Sequence, residues 1–231
     1  MSTAREEILG KLRSSLGRGP LAGERAAQLE ARLSNHPAGI IPRRSEGLDR
    51  TGLTRLFEQE GTAIATTMER VKSLADVPKA VADYLSRHNL PAEFAAAPDP
   101  LVDKAPWSER PLLKLKRGKP SPTDAVGLSV GFCAIAETGT LMLLSGPDNP
   151  STLNFLPDDH IVILPASRIV GPMEAAWRRL RERQGNDGTM PRTVNFITGP
   201  SRTGDIEQKL EMGAHGPRRQ HILIVEDDSL T

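Results

Sequence analysis

At 231 residues and a formal net charge of +1, with no block of basic residues, the chain lacks the concentrated positive face that a nucleic-acid partner requires. Hydrophobic residues make up 38% and charged residues 26%, as in an ordinary globular protein, and no stretch approaches the ~20 apolar residues of a bilayer span. The single cysteine, Cys133, excludes an internal disulfide and fits a reducing compartment. It also excludes an iron–sulfur cluster held by this chain alone, since such clusters ordinarily need four thiolates.

Thr3 and Glu6 have capping-box spacing, and Ile8, Leu9, Leu12 and Leu16 form one apolar stripe, which predicts a first helix stopped by Gly17 to Pro20. The start Met1 to Leu9 carries no hydrophobic signal core, so the chain is expected in the cytoplasm. A second, weaker helix is expected over 21–33, followed by a polar, Pro-containing segment, 35–50. Residues 1–50 thus read as a helical arm, and 51–231 as an α/β domain.

Within that domain, Leu53, Leu56 and Phe57 suggest a short helix ending at Gly61, and 62–66 reads as a strand. The segment 78–88 is amphipathic, with Val81, Tyr84 and Leu85 inward and Pro78 in its first turn. A short strand is expected over 94–97 and a Pro- and Lys-rich surface loop over 98–122. Stretches 126–134, 141–144, 161–164, 194–197 and 222–225 are the better strand candidates, with a helix over 173–182. Strands separated by helices predict an α/β layer structure with a mostly parallel sheet; 126–144, with two strands across a tight turn, predicts an antiparallel hairpin. Arg178, Arg179, Arg181 and Arg183 read as a solvated helix face.

No G-x-G-x-x-G, Walker loop, H-E-x-x-H or G-x-S-x-G is present. Four polar segments next to apolar strands could carry chemistry. In Glu137-Thr138-Gly139-Thr140, a carboxylate and two hydroxyls sit at a strand end, and Gly139 permits positive φ or close approach by a ligand. Glu137 could act as a base or nucleophile there, or the segment is a hairpin turn whose threonines satisfy the backbone. In 197–207, an apolar strand runs into a Gly, Ser and Thr loop and then an expected helix. Gly199, Ser201, Arg202 and Thr203 could hold an anion at that helix start. Alternatively Ser201 or Thr203 is an N-cap, with Asp205 and Glu207 in the acid-favoured first turn. His215, between Gly213 and Gly216, could be an acid, base or ligand, or an incidental turn residue. Asp158, Asp159 and His160 have metal-ligand chemistry, but neighbours on an extended chain point to alternating faces, so no metal site is assigned.

A-E-T-G-T at 136–140, D-D-H-I at 158–161, T-G-P-S-R-T-G-D-I-E at 198–207 and G-A-H-G-P at 213–217 together resemble the LUD-domain family, in its lactate-utilisation branch. The resemblance spans roughly 50–227, with small departures at Gly204 and at Gly213-Ala214. It implies the three-layer sandwich shared with CoA transferases, ribose-phosphate isomerase and glucosamine-phosphate isomerase. It also implies work beside two iron–sulfur partner proteins in oxidising L-lactate to pyruvate. The cofactor of this chain is left open, and a carboxylate- or phosphate-bearing small ligand is expected. Glu137 and His215 are then the candidate catalytic residues, and Thr138, Gly139, Thr140, Gly199, Ser201, Arg202, Thr203 and Asp205 the candidate ligand-binding set. An independent enzyme of the transferase or isomerase type using Glu137, or a non-catalytic interaction module, are the competing expectations.

Overall fold

A computed structural model describes residues 3–17, 19, 21–184, 188–206, 209–227 and 229–230, and the side chains of 204–206 and 209–211 lie outside the description. The chain divides into two compact units, Met1–Ile40 and Ile41–Thr231. The first holds helices α1 (Ala4–Ser15) and α2 (Gly23–Asn35). Its capping box forms as expected: the Thr3 side chain accepts from the Glu6 N–H, and Glu6 accepts from the Thr3 N–H at 2.7 Å. Neither helix buries a residue.

The second unit is built on a six-stranded sheet in the order β1-β12-β7-β4-β2-β3, with every neighbouring pair parallel. Its strands are β1 (Thr67–Val71), β2 (Glu93–Ala96), β3 (Lys114–Arg117), β4 (Val126–Val130), β7 (Asp159–Pro165) and β12 (Arg219–Val225). β4 and β7 are buried along their whole length, as strands covered on both faces must be. Alternation sends Ile161, Ile163, Leu128 and Leu223 to one face, where α4 (Val77–Arg87) and α5 (Pro100–Lys104) supply Val81, Leu85 and Val102. Val162, Leu164, Ile222 and Ile224 turn to the other face. There they meet Phe57 of α3 (Arg50–Ala63) and a second sheet, β8-β5-β6-β9. That sheet comprises β5 (Cys133–Ile135), β6 (Thr140–Leu144), β8 (Ile169–Val170) and β9 (Val194–Ile197), and α6 (Met173–Gln184) packs Ala176 and Leu180 on its far side. The fold is α/β with a mostly parallel sheet, and the expected antiparallel hairpin is β5–β6.

Four local expectations are corrected. Residues 62–66 are no strand: α3 continues to Ala63, Ala65 takes φ +67°, and β1 starts at Thr67. β1 is an edge strand whose Arg70 pairs with Glu58 and Glu226, so its polar residues hid it from an apolar-run reading. The stretch 126–134 is two strands in two sheets; Gly131, where a Cβ would stand 3.0 Å from Leu164, marks the crossing. Within 98–122 the chain forms α5 and the charged edge strand β3. After β9, the hairpin β10 (Arg202–Ile206) and β11 (Lys209–Met212) stands where a helix was expected. Ser201 does not cap a helix: its N–H donates to Pro217 O at 2.8 Å, and its Oγ accepts from His215 N–H at 3.1 Å. Among the described residues no helix is long and apolar enough to cross a membrane.

Candidate functional site

The polar segments are joined by hydrogen bonds at the amino ends of β7 and β12. Thr138 Oγ1 and Thr140 Oγ1 lie 2.7 Å apart, and Thr140 Oγ1 lies 2.8 Å from Thr198 Oγ1, linking the Glu137 turn to the loop after β9. That loop is tied to the Gly213–Pro217 segment through Ser201, whose C=O also accepts from Gly213 N–H at 2.9 Å. The segment then enters β12 as Arg218 and Arg219 donate their backbone N–H groups to Asp158 O at 2.8 and 3.1 Å.

Glu137 sits in a short helical turn, Ala136–Thr138, and is only 6% exposed. Its Oε1 accepts from Ser45 Oγ at 2.6 Å and from Ser45 N–H at 3.3 Å, so Ser45 covers the carboxylate. Arg44 donates to the Glu137 carbonyl at 3.1 Å and forms an ion pair with Glu60 of α3. The missing side chain of Gly171 makes room, because a Cβ there would stand 2.4 Å from Ser45 Oγ. Gly139 adopts φ +63°, and a Cβ on it would come within 2.6 Å of Gly61 N. The close approach at Gly139 is therefore by the backbone of α3.

Gly199, at φ +80°, lies against Ile64 O, which also accepts from Arg202 Nη2 at 3.2 Å. Arg202 and His215 are exposed and Thr203 is half-buried, while the Asp205 side chain and all of Glu207 lie outside the described residues. Among the described residues no helix follows β9, so an anion held here must use side chains and loop N–H groups.

Behind these loops lies a buried polar cluster that the sequence reading missed. Asp159, fully buried, accepts from Arg219 at 2.6 and 2.7 Å and from Tyr84 OH at 2.7 Å. Burial, then Asp159, pushes the Tyr84 hydroxyl up, and the hydrogen bond to Asp159 raises Arg219. His160 points to the opposite face, as alternation demands, and its Nε2 lies 2.7 Å from Ser129 Oγ. Burial drives the His160 imidazole down to about 3. Burial also drives His221, stacked on Tyr84 with ring centroids 4.4 Å apart, down to about 4. Among the described residues no three His, Cys, Asp or Glu side chains converge as a metal site would need. The available signal was register: Arg219 is the direct β-partner of Asp159, each opening an apolar strand.

Residues 121–225 match the model of the LUD domain family. Over 102 residues the chain is 38% identical to "Lactate utilization protein C" of Bacillus subtilis strain 168, covering 44% of this chain and 42% of that protein. It is 37% identical over 102 residues to the protein of the same name from Halalkalibacterium halodurans, covering 44% of each. These matches span less than half the length of the curated relatives. A crystal structure of a DUF162 family protein from Deinococcus radiodurans shares the fold, with a TM-score of 0.58, 22% identity, and coverage of 78% of this chain and 99% of that one. The segment 121–225, which holds the motifs at 136–140, 158–161, 198–207 and 213–217, is therefore similar to the LUD domain.

Proposed function

We propose that this chain is a cytoplasmic component of a lactate-utilisation system, supporting oxidation of L-lactate to pyruvate together with two iron–sulfur partner proteins. The observation behind this reading is that the matched segment contains the Glu137, Thr198–Thr203 and Gly213–Pro217 motifs, and that these form one hydrogen-bonded unit. One cysteine cannot hold a cluster alone, so the clusters of such a system would sit on the partners. The Cys133 thiol is buried and pushed up to about 12 by that burial, which makes it an inert core group.

In this reading Thr138, Thr140, Ser201, Arg202, Thr203 and Asp205 contact a carboxylate- or phosphate-bearing ligand, with Gly139 and Gly199 shaping the loops. Glu137 and His215 are the proton-handling groups. Because Ser45 covers Glu137, a ligand reaches that carboxylate only if Ser45 gives way.

The test is growth on L-lactate of a strain lacking the gene, complemented with wild type, Glu137→Gln or Arg202→Ala. Loss of growth on deletion, restored by wild type and by neither folded variant, is the expected result. Unchanged growth on deletion would remove the lactate assignment. Rescue by both variants would leave a scaffold role and remove the site.

A further inference from the structure

At the other end of the parallel sheet, two adjoining cavities of about 290 and 460 Å³ open beside the carboxyl ends of β2, β4 and β7. They share Asp99, Phe132, Asp148, Arg168 and Arg183 in their walls, and Arg179 and Lys104 complete the larger one. Open α/β sheets bind ligands outside the carboxyl ends of their strands, where loops from neighbouring strands diverge. The size suits a small molecule.

The charge is one-sided. Lys104, Arg168, Arg179 and Arg183 face two carboxylates, Asp99 and Asp148. Among the described residues none of those four cations has a carboxylate oxygen within 4.0 Å, although nine other ion pairs occur among those residues. Two of the arginines are anchored by carbonyls instead: Arg168 donates to Gly131 O and Arg179 to Ser167 O, each at 3.0 Å. Arg183 lies 5.4 Å above the Phe132 ring. Burial lowers the Arg168 guanidinium, Asp99 acts against that, and the nearby charges of Arg179 and Arg183 lower it further. Burial likewise raises Asp99, which caps α5 by accepting from Leu101 N–H at 2.8 Å. The Asn149 carbonyl oxygen, buried in the wall of the smaller cavity, has no donor among the described residues. Four cations opposed only by Asp99 and Asp148, neither within 4.0 Å of them, leave an excess of positive charge that an anion between the guanidiniums would offset.

We propose that this cavity, walled by Arg168, Arg179, Arg183 and Lys104, is a binding site for a small oxyanion carrying two negative charges, supplied by a phosphate ester or a dicarboxylate. The site is separate from the motif loops and does not depend on the lactate assignment, so failure of either leaves the other standing.

The test is calorimetric titration of the full chain in low salt with inorganic phosphate and, separately, with malonate. Saturable binding of at least one is expected, and the tighter of the two identifies the source. Arg183→Gln, on the exposed face of α6, should fold normally and weaken binding at least tenfold. Asp99→Asn keeps the cap on α5 and should tighten binding several-fold by removing a repelling charge. No binding of either anion at millimolar concentration overturns the proposal. So does binding that Arg183→Gln and Asp99→Asn leave unchanged, which would mark an adventitious ion only.

Discussion

At the amino ends of β7 and β12, Asp159 holds Arg219 and Tyr84, Ser129 meets His160, and Thr140 and Ser201 tie three loops together. At the carboxyl ends, Arg168, Arg179 and Arg183 gather around a cavity, and among the described residues no carboxylate pairs with them. The first arrangement pairs its buried charge internally, Asp159 with Arg219 and Tyr84, and so confers rigidity, although His160 Nδ1 and His221 Nε2 are buried without a partner among the described residues. The second leaves like charges together, which lowers stability unless something outside the chain neutralises them. The motif residues of the segment matched to the LUD domain therefore lie at the end where Asp159 and Arg219 pair, and the unspent charge lies elsewhere. Stability measurements can break this contrast, because they should respond strongly to changes at one end and weakly at the other.

The largest effect expected is acid destabilisation of the amino end. His160 and His221 titrate near 3 and 4 in the folded chain because burial disfavours their charged forms, whereas unfolded histidines titrate near 6.5. Between about pH 6.5 and 4 the unfolded chain therefore binds more protons, and stability falls as pH falls. At pH 5 each histidine should cost about 2 kcal/mol relative to pH 7.5. Urea unfolding midpoints at the two pH values measure this, and His160→Gln should remove about half of the difference. A combined loss below about 1 kcal/mol would show that water reaches these rings and that the amino end is not sealed.

Next in size is Gly139→Ala. The substitution forces a side chain onto φ +63° and drives its Cβ within 2.6 Å of Gly61 N, and backbone cannot swing aside as a side chain would. Left-handed strain and overpacking together should cost about 3 kcal/mol. A cost below about 1 kcal/mol, read from the same unfolding curves, would mean that α3 moves easily away from the Glu137 turn.

Much of the fold was legible because buried parallel strands announce themselves as apolar runs. Residues 161–164 and 222–225 lie within β7 and β12, and 194–197 coincides with β9. Edge strands were the failure. β1 and β3 carry Glu69, Arg70, Lys114, Lys116 and Arg117, whose charges protect an edge from further pairing and at the same time erase the apolar signal. The Thr198–Asp205 segment misled for another reason. Ser, Thr and acidic residues in sequence read as a helix start, but Ser201 spends its hydrogen bonds on Pro217 and His215, residues too distant in sequence to be inferred. The same limit hid Ser45, which covers Glu137 from a segment assigned to an arm. It also hid the cavity arginines: Arg179 and Arg183 read as solvent-facing until Arg168, from the turn after β7, is brought beside them.

The smallest effect, and the one that sharpens the contrast most, belongs to Arg183→Gln. The change removes a cation over Phe132, worth about 0.5 kcal/mol at an exposed site. It also relieves repulsion toward Arg168, worth a few tenths of a kcal/mol in the opposite sense. The net change in unfolding free energy should stay within about 0.5 kcal/mol in anion-free buffer. Adding phosphate or malonate should then separate the two proteins. A ligand at 100 times its Kd stabilises the wild type by about 2.7 kcal/mol, and the variant, binding at least tenfold more weakly, gains at most about 1.4 kcal/mol at the same concentration. A variant that loses more than about 2 kcal/mol without any anion would show Arg183 to be holding the fold together. The charges of the carboxyl end would then serve the fold as the Asp159–Arg219 pair does at the amino end, and the distinction between them would fail.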